Sequence, residues 1–153
     1  MSTDTAPHCS ARSFVEHYDT YRRYGPGTSR ILRLMRQKGY HWRELAQQAR
    51  EGRGSWGNGS AMRVAPLGAD GLDRVVDEAA ASALVTHTHP DAVAGAVAVA
   101  LAAAVFSTQP QVHGIELLDT IASRTPAGPV RDKIRDAQFI SDSVTAAAEL
   151  GRL

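Results

Sequence analysis

"GLDRVVDEAAASALVTHTHPDAVAGAVAVALAAAVF", residues 71–106, decides the fold. Leu72, Val75, Val76, Ala79, Ala80, Ala83 and Leu84 recur at intervals of three and four, which predicts an amphipathic helix. The segment Thr86-His87-Thr88-His89-Pro90 interrupts it. Pro90 suits a first helical turn, where a missing N–H is no loss, and Asp91 suits the positive end of the helix dipole. The run that follows, to Phe106, is rich in alanine and valine and apolar almost all round. Such a helix belongs in the middle of a bundle, where small side chains let neighbours come close.

The same reading extends in both directions. Upstream, Ser10 can cap a helix towards Tyr21 with Phe14, Val15 and Tyr18 on one face. "YGPGT", residues 24–28, breaks it. Thr28 or Ser29 can cap a second helix with Ile31, Leu34 and Met35 as its stripe, closed by Gly39. "HWRELAQQAREG", residues 41–52, reads as a third helix with Trp42, Leu45, Ala46 and Ala49 inward. Downstream, a helix is expected near Ile115–Ala122. After the "RTPAGP" break a last one runs from about Val130 to Leu150. No segment alternates as a strand would. The expected class is all-α, with a flexible N-terminus over residues 1–9 and a single domain over 10–153. The 153 residues suit one domain.

Composition excludes some functions. The formal net charge is +1, so no strong field draws the chain to nucleic acid or to a membrane. Arg22, Arg23, Arg30, Arg33 and Arg36 cluster in the first third, but Arg30, Arg33 and Arg36 follow helical spacing, which suits a solvated helix face rather than nucleic-acid binding. Cys9 is the only cysteine, so no intrachain disulfide forms, which fits a reducing, cytoplasmic setting. The start lacks the pattern of a secretory signal. The apolar run from Ala92 to Phe106 is shorter than the roughly 20 residues a membrane span needs. No nucleic-acid or membrane partner is therefore expected.

The chemistry gathers in two loops. "GRGSWGNGSAMRVAPLG", residues 52–68, holds four glycines within eight residues. Glycine allows the positive φ angles with which successive N–H groups converge on an anion, especially beside a helix start. Ser55 adds a hydroxyl, Asn58 an amide and Trp56 a flat face with an indole donor. A phosphate or diphosphate is the natural ligand. No Gly-Lys-Ser/Thr ends the loop and no strand precedes it, so it is neither a Walker loop nor a dinucleotide fingerprint. The competing reading is a tight turn with Trp56 as a core anchor. In the second loop, His87 and His89 could share a metal if the backbone is extended. Otherwise they cap or pack, or one of them donates to a ligand while Thr86 and His89 shape the turn.

Three segments together resemble the ADP-ribosylglycohydrolase family in order and spacing. They are "YGPGT" at 24–28, "GSWGNGSAMRVAPLG" at 54–68 and "SALVTHTHPDAVAGAVAVA" at 82–100. The resemblance implies an all-α fold and cleavage of the glycosidic bond joining ADP-ribose to a protein side chain, or of related ADP-ribose bonds, with two magnesium ions. It places Ser55, Trp56, Gly57, Asn58 and Gly59 on the loop that holds the diphosphate of ADP-ribose, and His87 on a histidine contacting the same ligand. Trp56 replaces a commoner tyrosine. Arg23 stands where some members have a glycine lining the ligand site.

The resemblance also implies carboxylate clusters for magnesium, Thr-Asp-Asp near the N-terminus and Asp-x-Asp-Thr near the C-terminus. Neither is in place here. Ser2-Thr3-Asp4-Thr5 echoes the first, but too close to the Ser10 helix. "DAQFISDS", residues 136–143, reads as an exposed helix face. Hard cations need such oxygens. The expectation is therefore the middle part of a family domain: a diphosphate loop whose partner is ADP-ribose or an ADP-ribosylated protein, no metal ligands, no catalytic residues, and no hydrolysis by the chain alone. The alternatives are a non-catalytic ADP-ribose-binding pseudoenzyme or a structural or interaction protein.

Overall fold

The computed structural model describes residues 5–39, 41–112 and 114–140. Among them the chain is all-α, with seven α-helices: α1 (Thr5–Glu16), α2 (Pro26–Lys38), α3 (Trp42–Gln47), α4 (Val75–Leu84), α5 (Pro90–Thr108), α6 (Gly114–Arg124) and α7 (Pro129–Ala137). Short 3-10 helices lie at Thr20–Arg22, Ala61–Arg63 and Ala65–Asp70.

α5 is the axis of the bundle. α4, α6, α7 and the 3-10 helix Ala65–Asp70 pack around it. Its buried positions, among them Ala96, Val97, Ala100, Leu101 and Ala104, spread round the circumference, as the sequence implies. It is the one described helix long and apolar enough to cross a membrane, and here it is the core helix of a bundle. Pro90 occupies its first turn, and the His89 ring caps it by accepting the Asp91 N–H at 3.2 Å. Gly68 explains how the chain before α4 reaches α5. A Cβ there would lie 2.6 Å from the Ala104 nitrogen, so only glycine lets the two backbones meet.

The main core joins Val64, Val75, Ala79, Ala83, Val97, Leu101 and Ile121. A smaller cluster of Ala11, Trp42 and Val85, with Phe14, Met35 and Leu84 packed against it, fastens α1, α2 and α3 to α4. The Trp42 indole N–H finds its partner in His8 Nδ1 at 3.3 Å, as a buried indole requires.

Several expected boundaries move. α1 begins at Thr5, not Ser10, so residues 5–9 are helical rather than loose. Proline is tolerated in a first turn, and Pro7 and Ala11 are buried. α2 begins at Pro26 with Gly25 as its cap, ahead of Thr28 and Ser29, because proline pre-sets the helical φ. It ends at Gly39 in the left-handed region, as expected. Leu32 joins Ile31 as its buried pair, while Leu34 and Met35 are half-buried. α3 stops at Gln47 because Arg50, Glu51 and Gly52 all take positive φ and turn the chain into the glycine-rich loop. α7 is described to Ala137. The rest of the helix expected to reach Leu150 lies outside the described residues, as do Asp4 and the end of "DAQFISDS".

Candidate functional site

The site is built on the end of α4. The chain leaves the helix in a tight turn, with the Thr86 and His87 N–H groups both bonded to the Ala83 carbonyl at 3.1 and 2.8 Å. Thr86 and His87 are thereby carried into the interior, where both are buried. Arg63, at the end of the 3-10 helix Ala61–Arg63, reaches the same place. Its Nη2 donates to the Ser82 carbonyl at 2.6 Å and to the Thr86 hydroxyl at 3.0 Å. Its guanidinium carbon lies 4.7 Å from the Phe14 ring centroid.

This network fixes the state of His87. A guanidinium only donates, so Thr86 Oγ1 accepts from Arg63, and its own buried hydrogen is assigned to His87 Nδ1, 2.7 Å away, the direction that leaves it satisfied. With Nδ1 accepting, the ring hydrogen resides on Nε2, an assignment made from the bonding network. Burial pushes the His87 pKa down to about 4, and the Arg63 charge pushes in the same direction. Burial lowers Arg63 to about 10, which leaves it a cation at neutral pH. His87 is therefore a neutral imidazole with one oriented N–H.

The glycine-rich loop closes over that N–H. A Cβ on Gly59 would lie 3.1 Å from His87 Cε1 and 3.2 Å from Nε2, and one on Gly57 would lie 3.6 Å from Nε2. Neither glycine has a positive φ. The expectation of left-handed backbone holds at Gly52 and Gly54 only, while Gly57 and Gly59 make room for the imidazole. Gly54, with φ of 75°, seats the loop on the second loop; its Cβ would lie 2.8 Å from the His89 nitrogen. Ser55 Oγ accepts the Gly57 N–H at 3.4 Å, and the Asn58 carbonyl accepts the Met62 N–H at 3.0 Å. The buried Ser60 hydroxyl ties the loop to α5 through the Ala92 carbonyl at 3.2 Å.

Trp56 is not a core anchor. It is 52% exposed, set edge-on to His89 with ring centroids 5.1 Å apart, and Arg50 stands 6.0 Å from its centroid. Asn58 is exposed as well. Of the residues singled out in the sequence, Gly57, Gly59 and His87 come together directly, and Trp56 meets the neighbouring His89. The two histidines are held differently: His87 Nδ1 is bonded to Thr86, while His89 Nδ1 caps α5. Among the described residues no group of three or more His, Cys, Asp or Glu side chains could hold an ion. The donors around the loop are amides, hydroxyls and imidazole, with the Asp91 carboxylate 3.8 Å from His89 Nδ1, a set that lacks the carboxylate clusters a magnesium pair needs.

A cavity of about 480 Å³ opens against Gly59, Arg63 and Thr86 and extends to Tyr24, Gly25 and Thr28. The "YGPGT" segment, the glycine-rich loop and the end of α4 thus share one cavity, although they are far apart in sequence. Arg63 and its contacts with Ser82 and Thr86 were not foreseen. The available signal was a lone charge in the apolar stretch "SAMRVAPLG", since a cation so placed must find buried acceptors.

The sequence matches the ADP-ribosylglycohydrolase family over residues 2–152, and the chain belongs to that family. An uncharacterized protein of Archaeoglobus fulgidus is 40% identical over 131 residues, which take in 79% of this chain and 38% of that protein. The chain thus spans well under half the length of the curated relative it matches. No solved structure matches it.

Proposed function

We propose that this chain binds ADP-ribose, free or attached to a protein, with the diphosphate against the Ser55–Gly59 loop and Nε2–H of His87 donating to it. The observation that carries this reading is the buried His87 ring, its Nδ1 held by Thr86 and its Nε2 set against Gly57 and Gly59, where backbone can approach closely. A neutral N–H donor beside backbone amides suits a diphosphate oxygen, which accepts hydrogen bonds without requiring a proton. Trp56, half-exposed beside the loop, offers an aromatic face to the nucleotide.

The family resemblance implies magnesium ions that would activate an attacking water. The described residues do not fit such ions, so the activity proposed for this chain is binding without turnover. Cys9, the single thiol, is exposed and uncrosslinked, in keeping with a proposed cytoplasmic setting. Titration calorimetry tests the proposal. Saturable ADP-ribose binding is expected, weakened by His87→Ala. A folded protein giving no binding heat at millimolar ligand would overturn it, and magnesium-dependent release of ADP-ribose from a modified protein would overturn its non-catalytic part.

A further inference from the structure

Resting on the ADP-ribose reading, we infer that the cavity beside the glycine-rich loop holds a second anionic group. The preferred ligand is ADP-ribose that carries an additional phosphomonoester.

Charge is the first argument. His17, Arg22, Arg23 and Arg63 line the cavity, and none of its described lining residues is acidic. The chain as a whole has 17 basic and 16 acidic residues, so this one-sided lining is local. Arg63 is occupied by Ser82 and Thr86. Arg22 and Arg23 make no side-chain hydrogen bond or ion pair with any described residue. Their planar guanidinium groups match the oxygens of a phosphomonoester, which carries nearly two charges at neutral pH.

The start of α2 is the second argument. Gly25 and Thr28 line the cavity, and no side chain caps this helix. Pro26 has no N–H, and the Ser29 N–H already reaches the Gly25 carbonyl at 2.9 Å. The N–H groups of Gly27 and Thr28 have no partner within the helix, and the dipole adds positive potential there.

The backbone of Arg23 is the third. Its φ of 54° and ψ of 48° lie in the left-handed region, where it ends the 3-10 helix Thr20–Arg22. Glycine adopts this conformation without steric cost. The backbone gains nothing from a side chain here, whereas the guanidinium stands at the cavity wall. The left-handed turn therefore sets a cationic side chain at the cavity wall where the backbone alone would be served by glycine. The volume of about 480 Å³ exceeds what a lone phosphate fills, and its continuity with Gly59 allows one ligand to reach both places.

Calorimetry at low salt tests this with ADP-ribose, ADP-ribose 2′-phosphate and inorganic phosphate as probes. The wild-type chain should bind the 2′-phosphate about tenfold more tightly than ADP-ribose. In Arg23→Gly, and more so in Arg22→Ala/Arg23→Gly, that advantage should shrink to about twofold or less, while ADP-ribose itself loses far less. Arg23→Gly should melt at the same or a higher temperature, so weaker binding cannot be ascribed to unfolding. Equal affinity of the wild type for the two nucleotides would overturn the inference, as would a tenfold preference surviving in the double variant. Inorganic phosphate raising the melting temperature of wild type and double variant equally would also count against it. Binding of ADP-ribose without preference removes this inference alone, whereas binding of neither nucleotide removes the underlying reading too.

Discussion

Arg63 Nη2 donates to the hydroxyl of Thr86, 23 positions further along the chain, at 3.0 Å, and that hydroxyl is in turn bonded to the His87 ring. The hydroxyl accepts from Arg63, and giving its own hydrogen to His87 Nδ1 is the assignment that satisfies every buried group. The arrangement is buried, so each member depends on the others for its hydrogen bonds. It also ties the glycine-rich segment to the end of α4, because Arg63 leaves the chain three residues after the buried Ser60.

Thr86→Val tests this relay. Valine keeps the shape but leaves one Arg63 N–H and His87 Nδ1 without their shared partner. A loss of about 1–3 kcal/mol is expected for buried groups left unsatisfied. Long-range ¹⁵N–¹H spectra should show the His87 ring changing from a single Nε2–H form to a mixture. Thr86→Ser should restore both stability and tautomer. Persistence of the pure Nε2–H form in the valine variant would show that something other than Thr86 fixes the ring.

Acid should destabilise the fold through His87. Its pKa is about 4 in the folded chain and about 6.5 unfolded. Between those values only the unfolded chain takes up the proton, so stability falls as pH drops. The contribution is complete above about pH 6.5 and lost by about pH 4, amounting to about 3 kcal/mol. Urea titrations across this range should show the fall, and His87→Gln should flatten it. An equal slope in the variant would assign the acid sensitivity to other groups.

Trp56 and Trp42 should separate binding from folding. Trp42 is buried and bonded to His8, whereas Trp56 stands half in solvent. Trp56→Ala should cost less than about 1 kcal/mol, as an exposed substitution away from the core does. It should nevertheless weaken ADP-ribose binding about tenfold or more, within the 0.5–1.5 kcal/mol of an aromatic contact plus its buried area. Ligand-induced change in tryptophan fluorescence should disappear in Trp56→Ala and survive in Trp42→Phe. Unchanged affinity would remove Trp56 from the site.

The all-α class and the core position of α5 were legible because they rest on local signals, whereas the pairing of the two loops came only with the family resemblance. The three- and four-residue spacing of Leu72–Leu84, Pro90 at a helix start, and Gly39 after Lys38 each act within one or two turns. The role of Gly57 and Gly59 was not legible. Their spacing suggested left-handed backbone, but what they supply is space for a ring 28 or more positions away in sequence. Arg63 was missed for the same reason, since its acceptors, the Ser82 carbonyl and the Thr86 hydroxyl, meet it only after α4 packs. Composition also made the arginines of the first third look like one solvated face. The fold turns Arg22 and Arg23 towards a cavity shared with Gly59.

Alanine at three glycines should give three different outcomes. At Gly54 the φ of 75° disfavours any side chain, and the new Cβ would lie 2.8 Å from the His89 nitrogen and 3.0 Å from the Thr88 carbonyl carbon. Backbone cannot yield as a side chain can, so a loss of about 3 kcal/mol or more is expected from strain and overpacking together. At Gly59 the φ is ordinary and the obstacle is the His87 ring at 3.1 Å. The ring can tilt, so stability should fall by only about 1 kcal/mol. The tilt misdirects Nε2–H, however, and ADP-ribose affinity should drop about tenfold, the equivalent of about 1.4 kcal/mol. At Gly27, inside the first turn of α2, nothing lies within 4 Å, and alanine should stabilise by about 0.4–1 kcal/mol. Urea denaturation and calorimetry on the three variants measure both quantities. Wild-type affinity in Gly59→Ala would show that the His87 N–H does not contact the ligand. A loss below about 1 kcal/mol in Gly54→Ala would show that the two loops are not packed backbone to backbone.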